Sequence, residues 1–274
     1  MYNGAFDAVR TVVAAFPNVK IHAKVHARHY SRWTNVHNIV SCHFHNETNP
    51  HVNPWHRVML TPCFVSKLHN LVMPPSMGMW SQVTYLDQLP NLRRLKAWLT
   101  GSALSWVFRK LIKLEHLEIF YATNTRDPFP FLISNLKRLE TFGVNWVEST
   151  SYNLQYPRWK SSSTWPALFW LEANPHTKTF SLKDDQRWVV VESVRDEFIK
   201  RLPFIFPNLE ILHLDYSCDH TYLLIRSLRL LRKLRLLNLR TVPNDITMKH
   251  ITLPATLLNL CKKRGIRLNR VARN

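Results

Sequence analysis

The nine residues Phe206-Pro-Asn-Leu209-Glu-Ile-Leu212-His-Leu214 are echoed, 25 residues further on, by Leu231-Arg-Lys-Leu234-Arg-Leu-Leu237-Asn-Leu239. Both fit one template, apolar-x-x-Leu-x-x-Leu-x-Leu. Its closing Leu-x-Leu alternates with the two-residue period of a strand, so both leucines face one side. A helix bundle or a run of hairpins does not return to one template at that interval, whereas a stack of repeats does. The pattern predicts a solenoid, in which each short strand buries its leucines against those of the next unit.

The template recurs upstream in Leu89-Pro-Asn-Leu92-Arg-Arg-Leu95-Lys-Ala97, Leu111-Ile-Lys-Leu114-Glu-His-Leu117-Glu-Ile119 and Ile133-Ser-Asn-Leu136-Lys-Arg-Leu139-Glu-Thr141. Weaker copies start at Trp33, Val65 and Trp165. In the weakest, Phe16-Pro-Asn-Val19, His22 takes the seventh position. From Phe16 the starts are spaced 17, 32, 24, 22, 22, 32, 41 and 25 residues apart. The three at 22 to 24 fall within the 20–29 window of leucine-rich repeats, and the longer gaps read as insertions. Strands are expected at Leu71, Leu95, Leu117, Leu139, Leu212 and Leu237. Ser105–Lys113 and Thr221–Leu230 have the apolar spacing of return segments.

The chain thus resembles the leucine-rich-repeat family, in the irregular form of F-box/leucine-rich-repeat proteins, over residues 16 to 240. The resemblance implies an α/β fold: a curved parallel sheet with helices and irregular returns on its convex side. It also implies a protein–protein interaction module, like the substrate-recognition domains of SCF-type ubiquitin ligase adaptors. The partner would be another protein. A Skp-like adaptor would join it only where an F-box lies upstream, since no Leu-Pro-x-Glu opening precedes Phe16.

One domain over 1–274 is expected: degenerate repeats in 1–60, regular repeats in 61–142, an insertion at 143–164, an irregular repeat and helix in 165–205, then regular repeats and a basic cap in 206–274. Val19–Val25, Thr179–Leu182 and Gly265–Leu268 read as strands, and Val190–Leu202 as an amphipathic helix.

Cys42, Cys63, Cys218 and Cys261 form no C-x-x-C pair, which argues against a disulfide scaffold. Reduced thiols and no signal-peptide pattern predict a cytoplasmic or nuclear protein. No stretch approaches 18 uninterrupted apolar residues, so no membrane span and no membrane partner are expected. Eight histidines crowd the first 60 residues. Cys42, His43 and His45 would be the ligands of a zinc site, but no second pair stands at zinc-finger spacing, so no metal is expected. Nucleotide-binding, zinc-protease and serine-hydrolase motifs are missing. Neither an enzyme nor a cofactor is expected.

The net charge is +19, and residues 201–274 hold 14 Lys/Arg against 4 Asp/Glu. The cluster Lys262, Lys263, Arg264, Arg267 and Arg270 reads as a basic tail. It motivates the alternative function, non-specific nucleic-acid binding by tail and rim. In the repeat frame, the middle residue of Leu-x-Leu and the one after the motif face the concave side. That places Trp98, Glu118, Phe120, Glu140, Phe142, His213 and Asp215 on a partner-binding stripe, with Lys96, Glu172, Asn174, Asn238 and Arg240 beside them. Bases fall at the fifth and sixth positions, Arg93, Arg94, Lys137, Arg138 and Arg235. The insertion adds Trp146, Tyr152, Tyr156 and Trp159, aromatic residues of the kind that anchor interfaces.

Overall fold

The computed structural model describes residues 8, 11–12, 14–16, 20–26, 39–45, 67–72, 89–99, 101–122, 132–147, 171–184, 192–216, 221–241 and 253–272. Among these residues ten strands form one sheet: β1 (Ile21–His26), β2 (Ile39–His45), β3 (Asn70–Val72), β4 (Arg94–Trp98), β5 (His116–Ala122), β6 (Thr141–Val147), β7 (Thr179–Asp184), β8 (Ile211–Tyr216), β9 (Leu236–Thr241) and β10 (Arg267–Ala272). Their order in space is their order in sequence, and every pairing is parallel. A doubly wound sheet would reverse its order at a switch point; here the chain advances one way throughout. The arrangement is an open, all-parallel α/β sheet, compatible with a solenoid.

Among the described residues, four helices carry returns: α1 (Gly101–Lys110), α2 (Glu192–Ile205), α3 (Thr221–Leu230) and α4 (Ala255–Arg264). Their buried residues, among them Phe108, Phe198, Leu228 and Leu257, join the leucines of the strands in one core. The helices therefore cover one face of the sheet. The other face carries Lys96, Glu118, His213 and Asn238, all partly exposed. Parallel sheets usually read as continuous apolar runs because both faces are covered. The alternation seen here fits a sheet with one covered face.

The sheet's beginning is fixed by a repeated backbone device. One carbonyl per unit accepts two N–H groups of the next unit. The Arg93 carbonyl accepts from Glu115 (2.7 Å) and His116 (2.9 Å), that of Glu140 from Lys178 and Thr179 (both 2.9 Å), and that of Lys178 from Glu210 (2.8 Å) and Ile211 (3.0 Å). These bonds hold the strand starts together although the returns between them differ in length.

The register corrects the template in the middle of the chain. Leu117 pairs with Phe142, and Phe142 with Phe180. Leu139 precedes β6 and is not a strand residue; its unit reads Leu136-x-x-Leu139-x-x-Phe142-x-Val144, one triplet later than the template placed it. In the next unit Leu171 is buried before the strand, and Glu172 and Asn174 are not strand residues either. That unit reads Asn174-x-x-Thr177-x-x-Phe180-x-Leu182. Two leucine positions are thus polar, yet fully buried. Their hydrogen bonds make this tolerable: Asn174 Nδ2 donates to the carbonyls of Ile133 (2.7 Å) and Leu136 (3.2 Å), and Thr177 Oγ1 to that of Leu139 (3.1 Å). The same three-residue slip occurs in β2, where Cys42, not Ile39, pairs with Leu71. The strands expected at Leu71, Leu95, Leu117, Leu212 and Leu237 are present, as are those in Val19–Val25, Thr179–Leu182 and Gly265–Leu268.

The helix expected over Val190–Leu202 is α2, and it continues past Pro203. Proline has no N–H, so the carbonyl four residues back, Ile199, lacks its helical donor. Ser227 of α3 supplies the missing bond, its Oγ lying 2.6 Å from that oxygen in a buried position. Ser227→Ala is expected to lower the unfolding free energy by about 1–3 kcal/mol, the cost of a buried carbonyl left bare. Denaturant melts of Ser227→Ala with and without Pro203→Ala check it. Pro203→Ala restores the N–H, so the two losses should not add; simple additivity would disprove the pairing.

The basic C-terminal stretch is no tail. Leu257, Cys261 and Ile266 are buried, and β10 pairs with β9 along six residues. Gly265, at φ 65°, ends α4 in the left-handed conformation that glycine adopts without steric cost. Arg264 turns back to donate to the carbonyls of Leu228 and Leu231 (the latter at 2.8 Å), capping the C-terminus of α3. Among the basic residues grouped as a tail, this one has a structural duty.

Candidate functional site

Two surfaces concentrate polar side chains. The first is the sheet face that no described helix covers. Parallel register puts Lys96, Glu118, Gly143, Ser181, His213 and Asn238 in one row across six strands. Two residues further along each strand come Trp98, Phe120 and Asn145, with Asp215 facing Arg240 in the same row.

Glu118 is the hub of this face. Its Oε1 accepts from Asn145 Nδ2 at 2.6 Å and Lys96 Nζ at 2.9 Å, with Lys183 Nζ at 3.8 Å. Burial alone would raise the carboxyl, but the hydrogen bonds from Asn145 and Lys96, with the charge of Lys183, outweigh it and hold it below its ordinary value. Gly143 makes the arrangement sterically open: a Cβ there would sit 3.3 Å from Glu118 Cγ. Further along, Asn238 Nδ2 donates to His213 Nδ1 at 2.9 Å, which requires an unprotonated Nδ1. Burial, then Lys183, lowers the His213 pKa in the same sense. Asp215 receives both Nε (2.7 Å) and an Nη of Arg240, a two-pronged pair. The face is thus a set of side chains held in place by one another.

Of the residues expected on this face, Glu118, His213 and Asp215 are there, and Trp98 and Phe120 hold adjacent register positions. Phe142 is not: it is fully buried, and its ring packs 5.8 Å from that of Phe180 and 6.3 Å from that of Phe206. Glu140 is not there either, because it stands before β6 and faces Lys178 at 3.3 Å. Both shifts follow from the three-residue slip. Trp146 belongs to β6, while Tyr152, Tyr156 and Trp159 lie outside the described residues. Sequence reasoning missed Gly143, Asn145, Ser181 and Lys183. A template admitting an aromatic residue at its seventh position would have found Phe142-Gly-Val144 and Phe180-Ser-Leu182, and with them these four.

Cys42 is buried and its thiol pushed far up by that burial. His43, next to it in β2, is exposed on the opposite face, so the two do not share a site. Among the described residues no cluster of His, Cys, Asp or Glu fits a metal ion.

The second surface is the edge where the strands begin. A groove of about 660 Å³ runs there, lined among others by Arg138, Glu140, His176, Lys178, Glu210 and Lys233. Bases and acids alternate across neighbouring units: Arg93–Glu115 at 3.4 Å, Lys178–Glu140 at 3.3 Å and Arg235–Glu210 at 2.8 Å. Such exposed pairs add little stability, about 0–1 kcal/mol each. Lys137 and Arg138, placed by the template at the fifth and sixth positions, precede β6 in the turn after the 3-10 segment Ile133–Asn135.

No helix in the described residues is long and apolar enough to cross a membrane. Compared with protein-family models and with curated proteins, the sequence matches none.

Proposed function

We propose that this chain is a non-enzymatic protein-interaction module of the leucine-rich-repeat kind, presenting its uncovered sheet face to another protein. A setting such as substrate recognition in an SCF-type ubiquitin ligase fits that reading. The observation that carries it is the row Lys96, Glu118, His213 and Asn238. Its polar side chains are fixed by mutual hydrogen bonds on rigid strands, with Trp98 and Phe120 side by side at its end. Side chains locked before contact lose little entropy on binding. Aromatic residues beside charge have the composition of interface hot spots. Ser181 stands beside His213 in register, but no hydrogen bond joins them, and an interaction role is therefore preferred to catalysis.

Trp98→Ala/Phe120→Ala is expected to weaken capture of the partner by at least about 30-fold, since each hot-spot truncation costs about 2 kcal/mol or more. The check is affinity capture followed by cross-linking to place the partner on β4 and β5. A folded double variant that retains every partner would sink the sheet-face assignment.

A further inference from the structure

We propose that the strand-start edge is a docking rail for the phosphate backbone of nucleic acid, separate from the sheet face. Every described helix runs into this edge, because each ends within six residues of the strand that follows it. The edge therefore gathers the turns and the helix C-termini of the stack. The segments that form it are 89–94, 109–116, 132–141, 171–179, 205–211, 229–236 and 262–267. Together they hold 16 Lys/Arg and 4 Glu, a net of +12 in a chain whose total is +19. The excess charge is sorted onto one edge rather than spread over the molecule.

Structural duties do not exhaust these cations. Cations in a last helical turn offset the helix dipole, worth about half a negative charge per helix. Arg109, Lys110, Arg229, Lys262 and Lys263 stand in or at the end of such turns. Four helices account for roughly two negative equivalents, far short of +12. Three of the glutamates pair with Arg93, Lys178 and Arg235. Lys137, Arg138, Arg232 and Lys233 stand outside any helix, are exposed, and have no acidic partner among the described residues.

The shape selects the occupant. Seven strands, β4 to β10, at ~4.8 Å spacing make a rail of about 29 Å. That is the length of roughly eight or nine base pairs of a duplex that carries one charge per ~1.7 Å. Cores of protein interfaces are depleted of charge, and of Lys in particular. A lipid surface calls for an apolar face, but the apolar faces of α2, α3 and α4 lie in the core. The exposed Ile112 lies in the turn after α1, Phe204 in α2, Tyr222 and Leu230 in α3 and Leu258 in α4, spread over four returns. An arginine- and lysine-lined edge reads backbone charge and not sequence.

The test is fluorescence anisotropy of the full chain with a duplex of about 16 base pairs, run beside co-sedimentation with vesicles containing phosphatidylserine. With about six phosphate contacts, affinity should fall about 1,000-fold between 50 and 200 mM salt. Lys137→Glu/Arg138→Glu/Arg232→Glu/Lys233→Glu is expected to lose at least about 100-fold at 50 mM salt, with an unchanged circular dichroism spectrum. Should the reversed charges perturb folding, the four Gln substitutions serve instead and should flatten the salt slope by up to about four. No duplex binding by the wild-type chain at 50 mM salt overturns the proposal. So does binding to vesicles alone, or duplex binding that both variants leave intact.

Discussion

Leu117→Asp is expected to destroy the middle of the sheet. Leu117 is completely buried near the start of β5, paired with Leu95 on one side and Phe142 on the other. An aspartate there is too short to reach water, and the row holds no base to meet it. An uncompensated buried charge costs about 3–5 kcal/mol, and the lost leucine packing about 2–5 kcal/mol more. The sum rivals the 5–15 kcal/mol that stabilises a typical domain. In a stack held by nearest-neighbour contacts the damage is directional: it cuts the β4–β5 and β5–β6 junctions and leaves β7 to β10 with their own. Hydrogen exchange should then show protection lost across β4–β6 and partly kept in β8–β10. Leu117→Met, which conserves volume, should cost less than about 1.5 kcal/mol. An aspartate variant with the wild-type melting temperature would show that this position is not core.

The sequence disclosed the direction of the fold because its strongest signal, Leu-x-x-Leu-x-Leu, is the packing requirement itself. Where leucine fills the seventh position, as in β4, β5, β8 and β9, template and register agree residue by residue. The reading slipped in β6 and β7 for a definable reason. Phenylalanine fills the space of the seventh-position leucine at Phe142 and Phe180, and Asn174 and Thr177 take leucine places by binding carbonyls of the unit before. A three-residue slip leaves a Leu-x-x-Leu pattern looking satisfied, since Leu136 and Leu139 match either way. It nevertheless moves side chains from one face to another. That is why Phe142 and Glu140 were expected on the partner-facing stripe. Asp215 and His213, in a unit without the slip, lie on the sheet face where the template put them. The hub at Glu118 was legible only in part. Its residue could be named from spacing, but its ligands Asn145 and Lys183 come from the two slipped units. The charge of the strand-start edge was legible in part. The bases at the fifth and sixth template positions could be named from spacing, but those at the helix ends, such as Arg109, Lys110 and Arg229, join them only through parallel stacking.

Phe180→Ala is the substitution that probes those slipped units most directly. Phe180 is fully buried, and its ring lies 5.0 Å from that of Phe206, 5.5 Å from Phe198 and 5.8 Å from Phe142. Four phenylalanines from β6, β7, α2 and the turn before β8 thus occupy the space that leucines fill elsewhere. Aromatic pairs at these separations add about 0.5–1.5 kcal/mol beyond their buried area. Truncation to alanine removes the ring common to three of these contacts and opens a cavity that rigid strands on both sides cannot close. The expected loss is about 3–5 kcal/mol, measured by denaturant unfolding. Phe180→Leu makes the sharper comparison, because leucine is what the template asks for at this position. If the leucine frame alone held the stack, Phe180→Leu would be neutral. Because the neighbouring units have adapted to a ring, it should still cost more than about 1 kcal/mol, as shape changes in a packed core do. Phe180→Leu at wild-type stability would mean that the aromatic cluster is interchangeable with the leucine seam, and that the slip reflects spacing rather than packing.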